Sequence, residues 1–75
     1  MLTDFNVGQK ICIDSFDEQN LAPEFINELL DFGLLPGEEI TILHKSQKKI
    51  LVGAGNAEIA ISEKEAKYIN ARKLD

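Results

Sequence analysis

The apolar residues of this chain occur in short runs, and this pattern constrains its fold more than any other feature. The longest runs, such as Ile50 to Val52 and Ile59 to Ile61, hold three residues each, far too few for a membrane span. Short alternating runs between turn residues are typical of short β-strands. A chain of 75 residues can bury only about 60% of its surface, enough for one small core. We therefore expect a single domain over residues 1–75, built mainly from strands.

Five strands follow from this alternation. They are predicted at residues 10–16, 40–44, 50–54, 57–61 and 68–71. Phe16 breaks the alternation, so we expect a bend or bulge before it, and Gly55-Asn56 predicts a two-residue hairpin turn. Ser62 and Glu65 have the spacing of a capping box, which predicts a short helical turn near the C-terminus. These strands describe a small barrel or a strongly curved sheet, whose closure would hide its strand edges.

One α-helix, at residues 21–32, is inserted after the first strand. Pro23 fits only the first turn of a helix, because proline has no N–H to donate. The N-cap is then Asn20 or Ala22, and Asn20 is chemically the better cap.

Three residues after the helix are expected to act through the backbone. Gly33 accepts the positive φ of a helix C-terminus, and Pro36 presets φ for a turn that Gly37 completes. We therefore interpret Gly33, Pro36 and Gly37 as the structural turn that holds the helix against the barrel.

The apolar face of this helix is wider than one core requires. At 100° per residue its apolar side chains span an arc of about 180°, whereas docking on a single core needs about 100°. Either the barrel and loops cover both edges, or one edge contacts a partner. We expect the partner-binding residues to be Leu30 and Phe32, at opposite edges, with Leu29 and Phe25, which lie near the centre and mainly in the core. An apolar edge beside Glu and Asp suits a partner with apolar and basic surface.

The charge balance disfavours anionic partners. Eight Lys and Arg against thirteen Asp and Glu give a net charge of −5, whereas nucleic acids and anionic membranes attract clustered positive charge. The N-terminus lacks the apolar stretch of a secretion signal, and a lone cysteine favours a reducing compartment. We therefore expect a free-standing cytoplasmic protein that neither enters a membrane nor binds nucleic acid.

Residues that could carry chemistry are too few for a metal site or an enzyme. His44 and Cys12 are the only histidine and cysteine, whereas ferrous iron or zinc needs several converging ligands. Gly53-Ala54-Gly55 lacks the third glycine and the following helix of a phosphate-binding loop, so we assign it to the hairpin. We expect no catalytic residue, no metal and no cofactor, and we expect Cys12 to be a half-buried strand residue.

Two blocks of the chain resemble the ferrous-iron transport protein A (FeoA) domain family. Residues 29–40, LLDFGLLPGEEI, resemble its pattern L-x-x-L/M-G-L-x-P-G-x-x-I, and residues 58–69, EIAISEKEAKYI, resemble its pattern x-I-A-L-x-x-x-x-A-x-x-I. The similarity covers nearly the whole chain, and the first block is the more specific. Ile61 replaces the usual Leu, and the basic connection from Lys45 to Lys49 lacks the glycine often found there.

The resemblance implies an SH3-like β-barrel with one inserted α-helix, acting in the bacterial cytoplasm. It also implies a partner, a membrane ferrous-iron transporter whose cytosolic part is a G-protein domain. Two alternatives remain: a regulatory domain that acts on an iron-dependent transcriptional repressor, and a direct iron carrier, which the ligand count disfavours. A polyproline groove is not expected, since such grooves are lined by aromatics and this chain has one Tyr and no Trp. Self-association is left open.

Overall fold

The computed structural model describes residues 1–74. Its elements, in chain order, are a 3₁₀ helix (Leu2–Asp4), β1 (Lys10–Phe16), α1 (Pro23–Asp31), β2 (Glu39–Lys45), β3 (Lys49–Ala54), β4 (Ala57–Ser62), α2 (Glu63–Ala66) and β5 (Ile69–Lys73). The prediction of a mainly β domain with one inserted helix and a short C-terminal helical turn is confirmed. The 3₁₀ helix was not predicted, although its Leu2 is completely buried.

The five strands form one antiparallel sheet in the order β4-β3-β2-β1-β5. Strands β4 and β5 stand at its two ends, and α2 connects them along the chain. The hydrogen-bonded ladder does not close between these two strands in the described part of the chain, so the barrel is open there. An open ladder leaves one free edge on β4 and another on β5.

Two strands contain irregularities of register. In β1 the pairing with β5 shifts between Ile13 and Ser15, which confirms the bulge expected before Phe16. In β2 the pairing with β3 shifts between Ile42 and His44, and this second bulge was not predicted. Bulges of this kind bend a strand and increase its twist, so both help a five-stranded sheet to curve around a single core.

The core is formed by side chains from both helices and all five strands. Its largest members, each under 2% exposed, are Leu2, Ile11, Ile13, Leu29, Leu34, Ile40, Ile42, Ile50, Val52, Ile61 and Ile69. Cys12 is also buried, with 1% of its surface exposed, so the expectation of a half-buried cysteine is wrong. Ile11 and Ile13 point to one face of β1 and Cys12 to the other, and all three are buried, so both faces of the strand are covered here. The turn after α1 is hydrogen-bonded to this strand, with Gly37 N–H donating to the Ile13 carbonyl at 2.9 Å.

Helix α1 begins later than the sequence suggested, and Ala22 is its N-cap without any side-chain cap bond. Pro23 at the first helical position forces the residue before it to be extended, and Ala22 has φ −64° and ψ 140°. Asn20 therefore cannot cap the helix. Its side-chain amide instead donates to the Asp17 carboxylate at 2.8 Å, in a separate turn whose Asp17 carbonyl accepts from Leu21 N–H at 3.0 Å.

Candidate protein-binding surface at the end of helix α1

The C-terminus of α1 is closed by two main-chain hydrogen bonds. Gly33 N–H donates to the Leu30 carbonyl and Leu34 N–H donates to the Leu29 carbonyl, both at 3.0 Å. This is the Schellman arrangement, which requires a left-handed residue after the cap, and Gly33 has φ +92°. Leu29 and Leu34, the pair that this motif brings together, are both in the core. The end of the helix is therefore fixed by backbone bonds and by burial.

A second turn fastens the following residues to the sheet. Glu38 N–H donates to the Leu35 carbonyl at 3.0 Å across Pro36-Gly37, and Gly37 has φ +91°, which is the pattern of a type II turn. The bond from Gly37 N–H to the Ile13 carbonyl ties this turn to β1. The segment between α1 and β2 is thus held at both ends.

Three accessible apolar side chains lie at this end of α1, and we call Leu30, Phe32 and Leu35 the helix-end surface. Phe32 is 43% exposed and Leu35 is 44% exposed, whereas Leu30 is half-buried and lies outside the core cluster. Leu30 and Phe32 stand on opposite edges of the helix. The sequence analysis did not name Leu35 as a partner-binding residue, because it treated Leu34 and Leu35 together as part of a turn. In the structure Leu34 is buried and Leu35 is exposed.

The other two residues expected at a partner interface are differently placed. Leu29 is completely buried, so it cannot touch a partner. Phe25 is half-buried and packs against the core. Of the four candidates, Leu30 and Phe32 are the two that do not pack against the core cluster, and Phe32 is the more accessible.

The surroundings of the helix-end surface are acidic. Residues 11–44 contain eight Asp and Glu and no Lys or Arg. Glu28, Asp31 and Glu38 are exposed, and none of the three forms an ion pair within residues 1–74. The last turn of α1 has no basic residue to offset the partial negative charge of a helix C-terminus. A cationic group from outside the chain would therefore be attracted to this end.

The residues considered for metal binding do not converge. His44 is exposed on β2 and Cys12 is buried in β1. Among the described residues, no three His, Cys, Asp or Glu side chains are grouped closely enough to hold a metal ion. No helix in that part of the chain is long and apolar enough to cross a membrane.

The basic connection between β2 and β3 has a partly structural role. Lys45 Nζ donates to the Thr3 carbonyl at 3.0 Å and to the Phe5 carbonyl at 2.7 Å, so it holds the N-terminal segment against the sheet. Lys48 is exposed and lies at the tip of the connection. Lys48 is therefore the connection residue best suited to probing an interaction there.

The chain is similar to a known protein family in sequence and to several solved structures in fold. The model of the FeoA domain matches residues 1–73. A crystal structure of an iron uptake regulatory protein (FeoA) is 24% identical with a TM-score of 0.79, covering 97% of this chain and 93% of that one. The solution structure of a FeoA protein from Chlorobium tepidum is 21% identical with a TM-score of 0.87, covering 99% of this chain and 70% of that one. A FeoA-like protein from Clostridium acetobutylicum is 20% identical with a TM-score of 0.74, covering 99% and 85%. The comparison with curated proteins gave no match.

These structural likenesses establish the fold. The sheet of five antiparallel strands with its inserted helix is a small SH3-like barrel. The identities to the solved structures are all below 25%.

Proposed function

Because the chain belongs to the FeoA domain family, we propose that it is a non-enzymatic accessory protein that binds the cytosolic G-protein region of a membrane ferrous-iron transporter. The family is linked to ferrous-iron uptake. In this proposal, binding modulates the transporter by shifting the conformational or nucleotide equilibrium of that region, in the cytoplasm. A coupling free energy of ~1–3 kcal/mol between the two sites is enough for such regulation.

The observation that carries the proposal is the accessible apolar surface at the end of α1. Phe32 and Leu35 each expose more than two fifths of their area, although a 75-residue domain needs its apolar residues for its core. The backbone of Phe32 is held by the Schellman motif, and the backbone of Leu35 is held by the type II turn that it begins. Little backbone entropy is therefore lost when a partner covers these two residues. Aromatic side chains, phenylalanine included, are enriched at protein interfaces relative to the rest of the surface.

The charges around this surface define the chemistry of the partner. Glu28, Asp31 and Glu38 are exposed and lie within three residues of these apolar side chains along the chain. The matching surface on the G-protein region is an apolar pocket for Phe32 with Lys or Arg at its rim. Complementary rim charges mainly raise the association rate and select the partner, while the buried anchor sets the dissociation rate.

Binding of the transporter's purified cytosolic domain to single variants tests the proposal. Phe32→Ser removes the anchor while leaving the core intact, and we expect an affinity loss of about 2 kcal/mol, or roughly thirtyfold. Leu30→Ser probes the opposite edge, and its smaller exposure predicts a smaller loss. Far-UV circular dichroism and the thermal midpoint of each variant show whether the fold is retained. Truncating buried Leu29 is unsuitable, since it would cost about 2–5 kcal/mol of folding free energy.

Lys48→Glu is the control, because it changes charge in the basic connection. We expect this variant to alter the salt dependence of binding more than the affinity. If Phe32→Ser and Leu30→Ser both bind normally while Lys48→Glu abolishes binding, the helix-end surface is not the interface. The loop face that carries the basic connection would then be the partner surface.

A further inference from the structure

The outer edge of β4 is open to another strand. Within residues 1–74, β4 pairs only with β3, and otherwise only α2 makes extensive contact with it. Its single charged residue is Glu58. The other end strand, β5, carries Arg72 and Lys73, and Arg72 forms an ion pair with Asp14. Charged side chains on an edge strand discourage pairing with other chains, so β4 is the less protected of the two edges.

The hydrogen bonds between β3 and β4 show which main-chain groups of β4 point away from β3. Glu63 N–H donates to the Lys48 carbonyl at 2.8 Å, just beyond the end of the β3–β4 ladder. Residues that bond to the partner alternate along an antiparallel strand. The odd-numbered residues of β4 therefore bond to β3. The main-chain N–H and C=O groups of Glu58 and Ala60 point away from β3, and both side chains are exposed.

We propose that two copies of this chain associate through their β4 edges, antiparallel about a two-fold axis at Ala60. The pairing joins the two five-stranded sheets into one. In this register Ala60 lies opposite the Ala60 of the second copy, where its small side chain does not hinder approach. Glu58 lies opposite Ser62, so no like charges face each other directly across the new ladder. Each contact occurs twice, as in any two-fold interface.

The charges at the two ends of β4 favour the antiparallel direction. Glu58 at the start lines a groove on the sheet face together with Glu39. Ser62 at the other end lines a groove together with three lysines, Lys48, Lys49 and Lys64, and one carboxylate, Glu63, so this end is basic on balance. Antiparallel pairing brings the acidic end of each copy beside the basic end of the other. A parallel arrangement would bring like charges together at both ends. The attraction acts at the surface, so it weakens as the salt concentration rises.

Sedimentation equilibrium of the full chain, from low micromolar to low millimolar concentration, tests the association. We expect a dimer whose dissociation constant rises with salt. Ala60→Glu places like charges opposite each other on the axis and is expected to weaken the dimer by about tenfold or more. Asn27→Glu is the matched control, because it adds the same charge at an exposed position of α1 and should leave the dimer unchanged. A chain that remains monomeric, or a dimer that Ala60→Glu leaves intact, overturns the proposal.

A charge exchange tests the register. Glu58→Lys and Lys49→Glu each place like charges together in a homodimer, so each variant alone should dimerise more weakly than the wild type. In an equimolar mixture, Lys at 58 of one copy meets Glu at 49 of the other, and dimerisation is expected to recover. Wild-type dimerisation together with a mixture that stays monomeric would refute antiparallel pairing about Ala60.

Discussion

Replacing Gly33 tests how α1 ends. Gly33 has φ +92°, and a Cβ added there would meet no atom within 4 Å. The cost of Gly33→Val is therefore backbone strain without a steric clash. An L-residue in the left-handed region costs about 1–2 kcal/mol, and β-branched Val belongs at the upper end because its χ1 is restricted. In a domain of this size each kcal/mol lowers the thermal midpoint by roughly 4–8 °C, so about 2 kcal/mol corresponds to a drop of roughly 8–16 °C.

Thermal and urea unfolding followed by circular dichroism measure this loss, with Gly33→Asn as the matched variant. Asn tolerates positive φ better than other L-residues, and the Cβ that both side chains share would meet no atom within 4 Å. We therefore expect Gly33→Asn to lose less stability than Gly33→Val. An unchanged midpoint in Gly33→Val would refute the argument. Equal losses in the two variants would show that backbone conformation is not the cause.

Three further predictions concern the helix caps and metal binding. Ser62→Ala should lower the free energy of unfolding by about 1 kcal/mol, because Ser62 Oγ accepts the Glu65 N–H at 3.2 Å at the start of α2. Asn20→Ala should leave the helical circular dichroism signal of α1 unchanged, since Asn20 does not cap it, and a loss of helix would contradict the assignment of Ala22. Anaerobic calorimetry should find no tight ferrous-iron or zinc site in the isolated monomer. A stoichiometric micromolar site that disappears in His44→Ala would contradict this.

Local sequence signals predicted most of the fold because they act over a few residues. The apolar alternation placed all five strands to within one or two residues. The Ser62 and Glu65 spacing located α2, where Ser62 Oγ also donates to the Glu65 carboxylate at 2.8 Å. Of the two N-cap candidates, Ala22 is the cap, and the preference for Asn20 was wrong because side-chain chemistry was weighed above the backbone constraint that Pro23 imposes on Ala22.

Features that depend on distant contacts were not accessible from the sequence. The burial of Cys12 depends on the second face of β1 being covered as well as the first, which the sequence of the strand itself does not show. The second bulge, at the Ile42–His44 step, has no glycine to mark it, and the apolar Leu43 directly after Ile42 does not by itself distinguish a bulge from a regular strand. Leu35 became a candidate only when the two turns around it were located, since sequence periodicity cannot describe a residue outside a helix or strand.

Binding through the end of α1 is tested most directly by a titration of isotope-labelled chain with the transporter's purified cytosolic G-protein domain, followed by amide NMR shifts. If the helix-end surface is the interface, the largest shifts will lie between Leu30 and Leu35, and Phe32→Ser will remove them. Largest shifts in the connection from Lys45 to Lys49, or no shifts at saturating concentrations of the domain, would contradict binding at the end of α1.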